Sequence, residues 1–246
     1  GKKVRNFNWK GQHIDAIVKL SDCQLEIFQK NRHYVMKNVN ARFDIDTNRA
    51  IRMNLTTGKF GGTAIGDGLT LEGRIDLKDV LKHRMPTLNI NLNIYGVDPA
   101  SLGFGDSIHD KMTLLTAVTG DINRPFASGR VTMPILRIPA LTFENVVGDV
   151  TYQDGILDFK EVYANVFGGK LKAKGVYNLD TRAYELTGVA TDLDSSMALK
   201  TPDFAVPVSA NLNFSSKGQP KDMVVWGDFT SGTGRYILIP IQSITG

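Results

Sequence analysis

Strict alternation of apolar and polar residues is the feature of this 246-residue chain that most restricts its fold. The clearest stretch covers residues 88–94, where two leucines and two isoleucines are separated by Asn89, Asn91 and Asn93. Successive side chains of a β-strand point to opposite faces, so this stretch predicts a strand with one apolar and one polar face. The same pattern recurs in residues 51–55, 69–77, 171–174 and 206–214.

Turn residues separate these predicted strands at short intervals. Asp154-Gly155 lies between two apolar-rich stretches, and this dipeptide is typical of the two-residue turn of a β-hairpin. We therefore predict an all-β fold with a mostly antiparallel sheet. The alternation does not distinguish a closed sandwich, in which a second sheet covers the apolar face, from an open sheet that leaves an apolar trough.

Two segments have an apolar spacing that resembles that of a helix. One covers residues 76–84, and the other runs from Ser107 to Ala117 and includes Met112 and Leu115. Each is predicted to be a single short helix or a loop.

An internal repeat is visible at an offset of 107 residues (167 − 60), because Phe60-Gly61-Gly62 recurs as Phe167-Gly168-Gly169. Glycine pairs of this kind suit a tight turn or a bulge at a strand end, so we predict equivalent structural turns at both places. The same offset relates three further pairs, which are Asn38 and Asn145, Leu55 and Val162, and Gly68 and Gly175.

Later residues match at a shorter offset, for example Asp98 with Asp194. The chain is therefore predicted to contain two repeats, residues 1–125 and 126–246, that share one continuous sheet. The alternative is that two hairpins resemble each other by coincidence.

Charge and composition argue against several functions. The 29 basic and 25 acidic residues are scattered along the chain, whereas a nucleic-acid-binding surface needs clustered basic residues, so no nucleic acid is expected as a partner. A single cysteine, Cys23, excludes an internal disulfide.

No motif for catalysis or metal binding is recognisable. Residues 44–55 begin like a calcium loop, but Arg49 and Leu55 stand where that loop needs glycine and glutamate. The glycine-rich residues 60–68 lack the lysine and hydroxyl residue of a phosphate-binding loop. The histidines also lack ligand spacing; they are His13, His33, His83 and His109. We predict no metal, no cofactor and no enzymatic activity.

Residues 120–175 contain an ordered series of turn glycines and apolar strands. Gly120, Pro125 and Gly129 come first, followed by an Ile138-Pro139 strand, a strand around Gly148, and then Gly168-Gly169-Lys170-Leu171. This order resembles the recurring unit of the TamB/AsmA-like family, and the resemblance extends over about residues 38–240. The first repeat departs from the unit because it has an insertion near residues 79–85 and lacks the Ile-Pro strand.

The resemblance implies an elongated, curved and open antiparallel sheet, a U-shaped β-groove whose concave apolar face carries phospholipid acyl chains. It implies bridge-like lipid transport from the inner to the outer membrane, in the periplasm of a diderm bacterium. It also implies contact with both membranes, and an inner-membrane anchor, through parts outside this sequence. A BamA/TamA-like β-barrel of the outer membrane would be a further partner. We expect the chain to be a segment of a longer protein.

The apolar residues of the strands with the clearest alternation are expected to line this groove, and the asparagines between them are expected to face water. The expected lining residues are Leu69, Leu71, Ile90, Leu92, Ile94, Leu171, Val208, Ala210, Leu212 and Phe214.

Two other functions remain open at this point. One is a scaffold for assembly of outer-membrane β-barrel or secreted proteins, which would use an open strand edge, with residues 236–241 as the candidate. The other is a β-rich enzyme or adhesin module, which would require a closed core.

Overall fold

The computed structural model describes residues 13–29, 32–60, 68–78, 84–98, 110–138 and 141–246. Strands dominate, together with one short helix, α1 (Ser195–Leu199), and a 3-10 turn (Pro220–Asp222). The strands are β1 (Asp15–Gln29), β2 (Arg32–Asp46), β3 (Ala50–Thr57), β4 (Lys59–Phe60), β5 (Gly68–Asp76), β6 (Thr87–Val97), β7 (Met112–Asp121), β8 (Arg124–Ile138), β9 (Leu141–Gln153), β10 (Ile156–Val166), β11 (Gly169–Asn178), β12 (Tyr184–Asp194), β13 (Phe204–Ala205), β14 (Pro207–Ser216), β15 (Val224–Ser231), β16 (Gly234–Tyr236) and β17 (Ile239–Ile241).

One large antiparallel sheet contains most of these strands. Its order is β1-β2-β3-β5-β6-β7-β8-β9-β10-β11-β12-β14-β15, and β4 pairs with β2. β13, β16 and β17 form a small second sheet. The large sheet is open and is not closed into a barrel. The predicted all-β, elongated and curved open sheet is therefore confirmed.

Burial of one face shows that the sheet curves. Val39 on β2 and Val97 on β6 are only 0% and 1% exposed. The described strands outside the large sheet are three short ones, so the structure contains no second large sheet that could cover this face. These side chains pack against apolar residues of other strands in the same sheet, as a curved sheet allows. Twelve of the buried residues form one continuous cluster from β2 to β10.

Bulges within the strands produce local bends. Asn38 on β2 and Asn145 on β9 both have a positive φ, 54° and 53°, at places where the pairing register shifts. Gly96 on β6 and Asp192 on β12 have φ of 61° and 56° and also lie at register shifts. Asparagine, aspartate and glycine tolerate this left-handed conformation best, and an extra residue in one strand sharpens its bend and twist.

The bulges occupy equivalent places in two six-strand units. Asn38 and Asn145 are related by the offset of 107 (145 − 38), and Gly96 and Asp192 by an offset of 96 (192 − 96). The register agrees, because Ile94 pairs with Leu114 in the first unit and Ala190 pairs with Ala210 in the second. β1-β2-β3-β5-β6-β7 therefore corresponds to β8-β9-β10-β11-β12-β14, and the hairpin between β7 and β8 joins the two units within one sheet.

One predicted equivalence is wrong. Gly68 is the first residue of β5, whereas Gly175 lies in the middle of β11, so the offset of 107 does not continue to this pair. The structural counterpart of Gly175 is Gly73, since both have a φ near 155° and both approach the backbone of the next strand closely. The offset changes because the chain between β4 and β5 has a different length from the two-residue connection between β10 and β11.

Of the two turns predicted from the repeated Phe-Gly-Gly sequence, only the one in the second repeat lies fully within the described residues. Phe167 and Gly168 have φ of 46° and 74° and form a two-residue turn between β10 and β11, and Gly169 begins β11. Phe60 is the last residue of β4, whereas Phe167 lies just beyond the end of β10; Gly61 and Gly62 lie outside the described residues. Asp154-Gly155, with φ of 49° and 82°, forms the predicted hairpin turn between β9 and β10.

The helical spacing near Met112 is misleading. Met112 begins β7, so residues 112–117 of the segment from Ser107 to Ala117 form a strand and not the predicted helix or loop. Met112 is buried and Leu115 is 44% exposed, because they lie on opposite faces of the strand. Asp76 ends β5, residues 77 and 78 are not helical, and residues 79–83 lie outside the described residues.

Residues 224–246 correspond to residues 126–148 at an offset of 98 (224 − 126). Tyr236 pairs with Ile239 as Ile138 pairs with Leu141, and Thr230 bridges to Thr245 as Thr132 pairs with Val147. The chain thus contains two six-strand units followed by a segment that repeats the pairing of the first two strands of the pattern.

We predict that Gly175→Ala destabilises the protein by about 1–3 kcal/mol, the usual cost of overpacking. A Cβ at residue 175 would lie 2.1 Å from the Glu185 carbonyl oxygen and 2.7 Å from the Leu186 Cα, so β12 would have to move. Urea unfolding followed by circular dichroism measures the change. Lys174→Ala, on the exposed face of the same strand, is the control. Equal stability of the two variants would contradict the close approach of β11 and β12.

Candidate functional site: the apolar face of the large sheet

Cross-strand pairing arranges the predicted lining residues of the first repeat in rows on one face. Leu69 on β5 pairs with Ile94 on β6, which in turn pairs with Leu114 on β7. In the next row Leu71 pairs with Leu92, and in the row after that Ile90 pairs with Gly73. Leu69 and Ile94 are buried, and the other three lining residues are half-buried. The antiparallel register therefore brings all five residues together.

The second repeat continues the same face. Leu171 on β11 pairs with Ala190 on β12, which pairs with Ala210 on β14. Leu212 lies opposite Gly188, and Phe214 lies opposite Leu186. Val208 pairs with Leu193 beyond the bulge at residue 192. All ten predicted lining residues thus lie on the face that carries the buried cluster.

One row of this face crosses both repeats. The row that contains Leu69, Ile94 and Leu114 continues through Val131 to Gly148, Val162, Ala173 and Gly188, and it reaches Leu212 on β14. Small residues therefore occupy the middle of the row, and leucines lie toward both ends. The face keeps its apolar character along the whole row.

The opposite face and the hairpin turns carry the charges. The residues predicted to face water lie on this face; Asn89, Asn91 and Asn211 are exposed, and Asn93, Ser209 and Asn213 are half-buried. Every ion pair among the described residues lies on this polar face or at a hairpin turn. These pairs are His13–Asp46, Arg42–Asp44, Arg49–Asp46, Arg74–Asp76, Arg124–Asp154, Arg130–Asp149, Arg137–Asp110, Lys160–Asp158 and Lys172–Glu161.

Two bidentate arginine pairs fix neighbouring strands. Arg130 on β8 donates from Nε to Asp149 Oδ1 on β9 at 2.8 Å, and the hydrogen bond lowers the pKa of that carboxyl. Arg124 binds Asp154 through Nε and Nη2 and so joins two successive hairpin turns. This hydrogen bonding lowers the pKa of Asp154 as well. Bidentate pairs have a defined geometry, which makes them suited to holding strand register.

A three-residue network covers part of the polar face of the second repeat. The Lys172 ammonium on β11 donates to Glu161 Oε1 on β10 at 2.8 Å, and the Tyr163 hydroxyl donates to Glu161 Oε2 at 2.9 Å. These hydrogen bonds lower the pKa of Glu161. The ammonium also lies 5.4 Å from the centre of the Tyr163 ring, a cation–π distance.

Sequence alternation missed the most deeply buried part of the apolar face. Val97, Met112, Met133 and Val146 lie near bulges, where the period of two is interrupted. Aspartate, asparagine or glycine within a strand pattern was the available signal for these interruptions.

The segment proposed as an open strand edge belongs to the small sheet. Residues 236–241 contain the last residue of β16, a two-residue turn and β17. β16 is paired on both sides, by β13 and β17, whereas β17 is the last strand of the described small sheet. The segment therefore lies at the edge of the small sheet and not of the large one, and its use in strand exchange stays a prediction. Ile237 has a φ of 54° in the turn, and Leu238 beside it is 91% exposed.

Within the described ranges, no group of three His, Cys, Asp or Glu side chains could hold a metal ion. No helix in that part of the chain has the length and hydrophobicity needed to cross a membrane. Comparison with protein-family models, with curated proteins and with solved structures gives no match.

Acid should weaken the strand contacts made by the arginine pairs. A carboxyl whose pKa is lowered by folding contributes stability above its ordinary pKa of 3.8, and this contribution is lost as the pH falls through the lowered value. We expect the urea concentration at the midpoint of unfolding to decrease as the pH is lowered from neutral to about one unit below the ordinary pKa.

The double variant Arg124→Ala/Arg130→Ala should show a smaller decrease, because the pKa values of Asp149 and Asp154 then return toward normal. Lys170→Ala, an exposed lysine on the same face, is the control. An unchanged pH dependence in the double variant would show that other groups control acid stability.

Proposed function

We propose that the apolar face is a groove that holds lipid acyl chains and lets them slide along the sheet. The observation that carries the proposal is the continuity of this face. Apolar rows cross β5, β6 and β7 and continue through β11, β12 and β14, while all described ion pairs lie on the other face or at the turns. An exposed or half-buried apolar surface of this extent needs an apolar partner.

Acyl chains suit such a surface because their binding energy accumulates evenly. Each CH₂ group removed from water contributes about 0.8 kcal/mol, so two long tails bind strongly without any specific contact. The ten lining residues are leucine, isoleucine, valine, alanine and phenylalanine, and no charged residue stands in their cross-strand rows. A uniform lining has no single deep site, which favours movement along the groove over fixed binding.

The dimensions also suit a conduit. Neighbouring strands lie about 4.8 Å apart, so the thirteen strands of the large sheet extend for about 58 Å across it. Because the sheet is open and repetitive, further repeats would lengthen the groove without changing its cross-section. The motif resemblance to the TamB/AsmA-like family supports the same proposal, with phospholipid as cargo and transfer between the two membranes of a diderm envelope through the periplasm.

Arginine on the apolar face tests the proposal. Leu92→Arg and Leu212→Arg place a charge in the path of the acyl chains, where it is costly unless it reaches water. We expect each variant to copurify with about tenfold less phospholipid, measured by organic extraction and mass spectrometry.

Asn211→Arg is the matched control, because Asn211 is exposed on the polar face beside Leu212 and already hydrogen-bonds to Asp228. Circular dichroism establishes that the variants are folded. If the folded Leu92→Arg and Leu212→Arg proteins retain as much phospholipid as Asn211→Arg, the apolar face does not carry lipid. A role as an assembly scaffold would then be the better explanation of the open sheet.

A further inference from the structure

The polar face of the first repeat contains a concavity of about 530 Å³ that crosses β3, β5, β6 and β7. A twisted sheet is saddle-shaped. When the strands bend toward the apolar face, the polar face can still be concave in the direction perpendicular to the strands. The polar side chains around the concavity carry amides, hydroxyls and one carboxylate. They are Asn54, Thr56, Thr70, Glu72, Asn91 and Asn93.

Register places these six side chains in two rows. Asn54, Glu72 and Asn91 are paired across β3, β5 and β6, and Thr56, Thr70 and Asn93 form the neighbouring row. None of the six side chains makes a hydrogen bond or an ion pair within the part of the chain that the structure describes. The rows therefore present amide donors and acceptors, hydroxyls and one carboxylate to the outside.

The equivalent place in the second repeat is filled from within. Glu161 occupies the position of Asn54 (54 + 107), and Lys172 occupies the position of Thr70, because Gly73 and Gly175 are equivalent (70 + 102). Glu161, Lys172 and Tyr163 bind one another there and satisfy their own polar groups. The second repeat thus has a network whose polar groups bind one another, whereas the first repeat has an open polar concavity at the same place.

We propose that this concavity binds a neutral glycan. Sugar hydroxyls donate to and accept from amides, hydroxyls and carboxylates, and a site with five uncharged polar groups and one carboxylate has little to attract a strongly charged ligand. Leu115, 44% exposed at the border, offers an apolar contact for the C–H face of a sugar ring. The site lies on the opposite face from the proposed lipid groove, so it does not depend on lipid binding.

Titration calorimetry of the 246-residue chain with maltohexaose, cellohexaose and N-acetylchitohexaose tests the proposal. We expect at least one of these oligosaccharides to bind at millimolar concentration or below. Asn91→Ala/Asn93→Ala should weaken that binding about tenfold or more, because both amides that would hydrogen-bond to the sugar hydroxyls are removed.

A second variant closes the site instead of truncating it. Asn54→Glu/Thr70→Lys introduces the ion pair of the second repeat and should also abolish binding while the fold, followed by circular dichroism, is unchanged. Thr187→Ala, at the position in the second repeat that corresponds to Asn91 (91 + 96), is the control and should bind like the original protein.

The proposal is wrong if none of the three oligosaccharides binds, or if the closed variant binds as well as the original protein. Binding of a neutral asparagine- and serine-rich peptide in place of the sugars would also overturn it, because the concavity would then be a peptide site. Phospholipid copurification is unaffected by the closing variant if the two faces act independently, so failure of one proposal is distinguishable from failure of the other.

Discussion

The antiparallel register is the constraint on which the rest of this structure depends. Each strand places its apolar residues opposite those of both neighbours, so rows such as Leu71–Leu92 and Leu171–Ala190–Ala210 extend across the sheet. A slip of one residue in any strand would turn its whole apolar set to the polar face. The ladder of backbone hydrogen bonds and the rows of apolar side chains therefore specify the same pairing, and each reinforces the other.

Bends in the strands convert this flat pattern into a curved surface. Asn38, Gly96, Asn145 and Asp192 adopt a left-handed conformation at bulges in the interior of their strands, at matching places in the two repeats. The most buried apolar residues lie close to these bulges. Curvature thus hides part of the apolar face from water without a second sheet, and the remainder stays half-exposed. An open sheet with such a face combines a stable fold with an unsatisfied apolar surface, and this combination is what a lipid groove requires.

The polar face shows how the two repeats have diverged. In the second repeat, the network of Lys172, Glu161 and Tyr163 satisfies its own polar groups. In the first repeat, asparagines and threonines at the same places have no internal partner. The apolar face keeps the same character in both repeats. One unit can therefore keep a shared apolar function while its outer surface acquires a different one.

The sequence by itself determined the strands, their two faces and the existence of a repeat. A period of two assigned Ile90, Leu92 and Ile94 to one face and the asparagines to the other, because side-chain direction in a strand depends only on local geometry. It misread the spacing around Met112 as helical, since few apolar residues in a short segment fit both periods. Only the tertiary structure decided that the sheet is open, where it bends, and that Gly73 rather than Gly68 corresponds to Gly175. These features depend on contacts between strands distant in sequence, and on bulges whose one-residue shifts are invisible in the alternation itself.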